Sequence, residues 1–184
     1  MLSGATLGAW SRRPIDDPAC SRIRTAVLSL KLPLRAKVAL PTQETRYREA
    51  PASLAAAEAD ADALTIRNAR ALAERARRML LREPYMPEGD SLTIDIWLWK
   101  LGTIVIATVP GEPFSTLQVA LRKRFPDLCI IAAMNSNGTC SYLMPAADYG
   151  KGYYQEWMSP TGQGGLELIE AAMIDQLAAW NEEG

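Results

Sequence analysis

Alternation of apolar and polar side chains is sharpest from Ser91 to Lys100, where Leu92, Ile94, Ile96 and Leu98 alternate with Thr93, Asp95, Trp97 and Trp99. Successive side chains of a strand point to opposite faces, so a period of two predicts a β-strand. Lys100-Leu101-Gly102 reads as a tight turn. Thr103 to Val109 is then β-branched and apolar on both faces, the pattern of a central strand covered on each side. These two segments form a hairpin, which makes the sheet mixed. Leu128 to Met134 is a further buried strand, reached through a helix over Pro113 to Arg124 with Phe114, Leu117, Ala120 and Leu121 on one side. Proline suits the first position of a helix. A strand, a helix and a second strand imply a right-handed crossover and a parallel pair.

Elsewhere the pattern is coarser. Arg24 to Leu32 alternates as a half-buried strand, with Arg35 to Leu40 extending it past Pro33. Ser53 is placed to cap a helix over Leu54 to Arg82, rich in good helix formers, with Leu64, Leu72, Ala76, Met79 and Leu80 on one face. Met144 to Thr161 reads as a long loop with Tyr149, Tyr153, Tyr154 and Trp157, and long irregular loops in compact domains are frequently lids. Gly162 to Trp180 closes the chain as an amphipathic helix on Leu166, Ile169, Ala172, Met173, Leu177 and Trp180. The expectation is an α/β domain over residues 22–184: a mixed β-sheet flanked by helices, one long helix in the N-terminal half and an amphipathic one at the C-terminus. Residues 1–21, with Pro14, Asp16, Asp17 and Pro18 and little periodicity, read as an arm.

Composition narrows the chemistry. With 20 basic against 21 acidic residues in 184, the net charge of −1 creates no field that would select nucleic acid. The arginines at 67, 70, 75, 77, 78 and 82 read as a solvated helix face, with contact to an anionic surface as the alternative. No segment is long and apolar enough for a transmembrane helix, and no signal-peptide pattern opens the chain, so the compartment is not legible. The three cysteines contain no CxxC pair, which points away from a disulfide framework or a thiolate zinc site. Cys129, in an apolar strand, reads as inert core. Cys140 would need an imidazole to act as a nucleophile, and the chain contains no histidine.

Two polar loops carry the candidate chemistry. Val109-Pro110-Gly111-Glu112 ends the central strand, and Asn135 to Tyr142 follows the next one. Functional groups of such sheets gather at the carboxyl ends of strands, so Glu112 and Tyr142 are expected to face one cleft. Taken singly each has a plainer reading. Glu112 can satisfy orphan amides at a helix start, Tyr142 can be a packed ring, and Asn137-Gly138 is a common turn.

Together, Val109-Pro110-Gly111-Glu112-Pro113-Phe114-Ser115-Thr116-Leu117, the apolar strand after it, Ser136-Asn137-Gly138, Ser141-Tyr142-Leu143-Met144-Pro145 and the aromatic Gly152-Tyr153-Tyr154 resemble the closing part of the catalytic domain of neutral ceramidases, over roughly Ser91 to Trp180. The resemblance implies a zinc ion held by two histidines from earlier in the domain and by a glutamate and a tyrosine matching Glu112 and Tyr142. Such a zinc would polarise an amide carbonyl and activate water against the N-acyl bond of a sphingolipid. Asn137 matches the family's loop asparagine, and Tyr153 and Tyr154 are candidate substrate contacts.

Where the family has histidine just before the tyrosine in some members, this chain has Ser141, and the family's Gly-Tyr-Glu becomes Gly152-Tyr153-Tyr154-Gln155-Glu156. Both histidine ligands lack a counterpart. The expectation is therefore half of a zinc site, inactive alone, completed by a second chain or a preceding segment that supplies imidazoles for a lipid amide substrate. Two alternatives are a non-catalytic binding or structural module on the same scaffold and a small hydrolase using Cys140 or Ser141 with Lys151. A chain cut from a larger domain should expose an apolar face and favour self-association into a homo-oligomer.

Overall fold

The computed structural model describes residues 23–138 and 140–182; the expected arm over residues 1–21 lies outside them. The chain divides into two compact units, one formed by residues 23–33 and 93–182 and the other by Leu34–Leu92.

The first unit is built on a four-stranded sheet. Strands β1 (Ile23–Pro33), β2 (Ser91–Leu101), β3 (Ile104–Val109) and, after two intervening elements, β5 (Cys129–Met134) lie in that order. The hairpin is antiparallel, Leu98 opposite Ala107 and Trp99 opposite Ile106, whereas β3 and β5 run parallel with Ile106 opposite Ile131. The sheet is therefore mixed, and the class is α/β. Helices α3 (Thr116–Arg124) and, at the C-terminus, α5 (Gly165–Glu182) cover one face, α3 packing on β5 and α5 on α3 and β1. Against that face Leu98, Val105, Ala107 and Ile130 are buried, as are Ile169, Met173 and Leu177 of α5. The expected apolar stripe of the closing helix is thus the one that packs.

The other face of the sheet departs from expectation. Direct pairing puts Trp99, Ile106 and Ile131 in one row and Leu101, Ile104 and Cys129 in another. Ile131 is 45% exposed, Trp97 38% and Val27 48%. The central strand has the two-sided apolar pattern of a covered strand, but among the described residues only one face is sealed. Cys129 is accordingly exposed rather than core, because its position in β5 belongs to this open side.

Helix α3 starts later than the sequence suggests. Glu112–Pro113 form β4, an extended pair that ladders in parallel with β6 (Tyr142–Leu143) as a separate two-stranded sheet. That pairing draws Pro113 away from a helical N1 position, and Ser115 becomes the residue before the helix.

In the second unit the single long helix expected from Leu54 is two. Helix α1 (Leu40–Asp60) begins at the proline-marked Leu40-Pro41, and α2 (Ala63–Arg82) begins after Asp62. The break has a local cause: Asp62 accepts hydrogen bonds from the amides of Leu64 (2.8 Å) and Thr65 (3.0 Å), an N-cap that starts a new helix. The two helices pack against each other. Residues 35–39, expected to extend the first strand, are irregular. Their path is held by Glu83, 5% exposed, which accepts from Arg35 at 3.0 Å and from the Val38 amide at 2.8 Å. Leu64 and Leu72, expected on the buried stripe, are 56% and 62% exposed, while Ala76 and Met79 are buried.

Candidate functional site

The site is built where β3 ends. Pro110-Gly111 turn the chain into β4, and the returning loop from β5 is stitched onto it: Asn135 N–H donates to Gly111 O (2.9 Å), Ser136 N–H to Val109 O (3.1 Å) and Cys140 N–H to Pro110 O (2.5 Å). The ladder follows, with Glu112 N–H donating to Ser141 O at 2.7 Å and Phe114 N–H to Leu143 O at 3.0 Å. Glu112 and Tyr142 are register partners in it. Direct partners in a ladder present their side chains on one side, so the two groups singled out from sequence stand next to each other.

Why the loop can make this return is visible in its backbone. Asn135 (φ 53°), Asn137 (φ 61°) and Ser141 (φ 61°) all occupy the left-handed region, which asparagine tolerates better than most residues. Gly111 has a different role. A Cβ there would lie 2.7 Å from both Cys140 Sγ and Ser141 O, so only glycine lets the two loops close to ladder distance.

Behind the ladder, the buried Ser159 hydroxyl donates to the Tyr142 carbonyl at 2.6 Å and lies 2.7 Å from Thr161 Oγ1. Tyr149 donates to the carbonyls of Thr161 (3.2 Å) and Gly162 (3.0 Å). This polar support fixes the backbone of Tyr142 from the side opposite Glu112. Around the phenol, the Tyr154 ring meets Tyr142 edge-on with centroids 5.9 Å apart, and Trp157 meets Tyr154 at 4.8 Å. The aromatic segment, expected as a long loop, is thus partly helical, with a 3-10 turn at Ala146–Asp148 and α4 (Tyr154–Met158) inside it.

The phenol of Tyr142 is held above its ordinary acidity range, first by burial, then by the Glu112 carboxylate, and further by Tyr154 and hydrogen bonding to the Glu112 side chain. A neighbouring negative charge opposes phenolate formation, and a carboxylate acceptor favours the protonated hydroxyl. The pair as it stands is a carboxylate beside a neutral phenol.

The remaining residues distribute as follows. Asn137 is exposed in the left-handed turn; the amide that reaches Glu112 is that of Asn135, at a long 3.4 Å. Asn135 lay in the polar cluster read from sequence, but only the fold separates it from Asn137. Tyr153 is 44% exposed with Lys151 Nζ 6.0 Å from its ring centre. Glu156 accepts from the amides of Gly150 (3.0 Å) and Gly152 (3.2 Å), which gives it a loop-closing role. Lys151 bonds Asp148 at 2.6 Å. Cys140 is 4% exposed and its thiol is pushed up to about 11 by burial. A thiol so protonated and sealed is a poor nucleophile, which weighs against the Cys140 form of the small-hydrolase alternative.

Zinc sites of hydrolases use three protein ligands and an open position. Here one carboxylate and one phenol converge, the chain has no histidine, and among the described residues no group of three His, Cys, Asp or Glu is placed to hold a metal. By themselves these two oxygens do not fit a zinc site.

No family model matches the chain, and no curated protein sequence does. Solved structures do. Part of the chain is similar to neutral ceramidases. A ceramidase described as complexed with C2 matches half of this chain at 15% identity with a TM-score of 0.45. A neutral ceramidase from Pseudomonas aeruginosa matches the same share at 16% identity with a TM-score of 0.42. The chain spans only 15% and 16% of the length of those two proteins.

Proposed function

We propose that this chain is a portion of a zinc-dependent N-acyl amide hydrolase of the neutral ceramidase type, contributing Glu112 and Tyr142 as two ligands and relying on a second chain or a preceding segment for imidazoles. The observation that carries the reading is the pairing of Glu112 with Tyr142 across β4 and β6. Two residues 30 positions apart, matched by sequence resemblance to the family's glutamate and tyrosine ligands, are direct neighbours. The open apolar face of the sheet, with Ile131 and Trp97 on it, supports a missing partner as well.

Within the assembled protein this chain's own residues have positional roles. Gly111 allows the close approach, Ser159 steadies the Tyr142 backbone, and the amide of Asn135 steers the Glu112 carboxylate. Zinc held by Glu112, Tyr142 and the imidazoles of the missing part would supply Lewis acidity toward an amide carbonyl. Tyr154, whose ring meets Tyr142 edge-on, and the adjacent Tyr153 would contact a lipid amide substrate.

The test is hydrolysis of an N-acyl sphingosine with zinc present. The chain alone is expected to show no turnover; the chain co-purified with a histidine-bearing segment that completes the domain is expected to retain zinc and turn over. In that assembly, Glu112→Gln and Tyr142→Phe should each release zinc and abolish activity. Enzyme-like turnover by the isolated chain, or full activity of the Glu112→Gln assembly, would overturn the proposal.

A second reading is a non-catalytic module on the same scaffold. The edge-on series Tyr142, Tyr154 and Trp157 would then serve as its ligand surface.

A further inference from the structure

The helical unit carries a cavity unrelated to Glu112 and Tyr142. A cleft of about 410 Å³ opens between α1 and α2, with four alanines, Ala50, Ala69, Ala73 and Ala76, beside Leu72 and Met79 in its apolar lining. Side chains this small leave space between two helices that otherwise pack together. Gln43 forms part of the lining and is 0% exposed.

Neither its amide nitrogen nor its carbonyl oxygen has a hydrogen-bond partner. Burying such a group without partners is unfavourable, because its bonds to water are lost and nothing replaces them. A leucine at this position would fill similar volume at no such cost, so the carboxamide calls for a complement, which a trapped water or a ligand can supply. That complement must offer a donor to Oε1 and an acceptor to Nε2 at once. An anion fails the first condition, since a carboxylate has no proton to give.

We propose that the α1–α2 cleft binds a small neutral molecule carrying an N–H and a C=O on the same edge, such as a lactam, a cyclic urea or a pyrimidine-type ring, paired two-fold with the Gln43 carboxamide. Both polar atoms are sealed in the empty cleft, so pairing requires the flexible glutamine side chain to swing toward the ligand edge, and its soft last torsion then aligns the amide. The alanines accept the flat ring, and the volume is within the range of small-molecule sites. Arg46, Glu49, Ser53 and Arg75 stand in the same lining and would meet polar substituents.

The experiment uses the full chain, with the side-chain amide of Gln43 followed by 15N NMR during titration with 2-piperidone. Its comparison is δ-valerolactone, the same ring without the N–H. Saturable shifts of the Gln43 amide with the lactam, at least tenfold weaker for the lactone, support the proposal. A site built on paired hydrogen bonds rejects the analogue that leaves one unmade. In Gln43→Leu the discrimination should vanish, read from neighbouring backbone amides. Ala73→Leu, which fills the cleft and keeps the carboxamide, should abolish binding of both rings while helical circular dichroism is retained. Equal response to the two rings, no saturable response to the lactam, or unchanged binding in Ala73→Leu would each overturn it.

Discussion

At the residue scale, a carboxylate adjacent to a phenol in a ladder holds that phenol protonated. Burial and the charge of Glu112 both raise the Tyr142 phenol. Removing the charge in Glu112→Gln takes away the second cause and leaves the first. The Tyr142 titration should therefore move down, toward the ordinary tyrosine value but not fully to it. A spectrophotometric titration with Tyr142→Phe as the subtraction control measures this; an unchanged or higher midpoint would mean that the two groups do not interact. Gly111 admits a blunter prediction. Its Cβ would sit 2.7 Å from Cys140 Sγ and from a backbone oxygen, and a backbone cannot yield as a side-chain end can. Gly111→Ala should cost about 1–3 kcal/mol of stability, seen as a lowered denaturant midpoint, with loss of the coupling between Glu112 and Tyr142.

Elements show where sequence patterns suffice and where they stop. The alternation from Ser91 to Lys100 and the stripe of Ile169, Met173 and Leu177 were legible because one side of each is buried by its own unit. The helix from Leu54 was not, because propensity alone cannot see that Asp62 will turn its side chain back onto two amides and begin a new helix. Nor could spacing distinguish Pro113 as a helix start from Pro113 in a ladder, since the choice depends on Leu143, far along the chain. The adjacency of Glu112 and Tyr142 was readable from strand ends and family resemblance. The steadying contacts of Ser159 and Asn135 were not, as single polar residues in loops carry no periodic signal. The buried Glu83 is another such group. With Arg35 and the Val38 amide as partners, Glu83→Ala should lower stability by about 3 kcal/mol, since it removes the buried acceptor that both donors share. Glu83→Gln, which keeps an acceptor for Val38, should cost less; equal losses in chemical denaturation would assign the effect to packing instead.

For the whole molecule the open side of the sheet dominates. Trp99, Ile106 and Ile131 form a contiguous apolar row, and exposed apolar patches of this kind favour association. Wild-type chain should therefore elute in size-exclusion chromatography with light scattering as a concentration-dependent oligomer. Ile131→Lys should shift it toward monomer while changing stability by no more than about 0.5 kcal/mol, the usual range for an exposed position. A monomeric wild type would remove the case for self-association through this surface. The two-faced apolar character of the central strand explains how sequence and structure can disagree here: residue pattern records the environment a strand is suited to, and the chain as described supplies only half of it.

The left-handed residues Asn135, Asn137 and Ser141 have a bearing on how this loop could change over time. Its contour is set by torsion angles and by backbone amides bonded to Gly111, Val109 and Pro110, with little reliance on what its outward side chains are. Exchanging an outward side chain, as at Asn137 for glycine, would alter what the rim touches and leave the bracket standing. Such a segment can acquire new specificity, or shed an old one, without the rest of the protein having to be rebuilt around it.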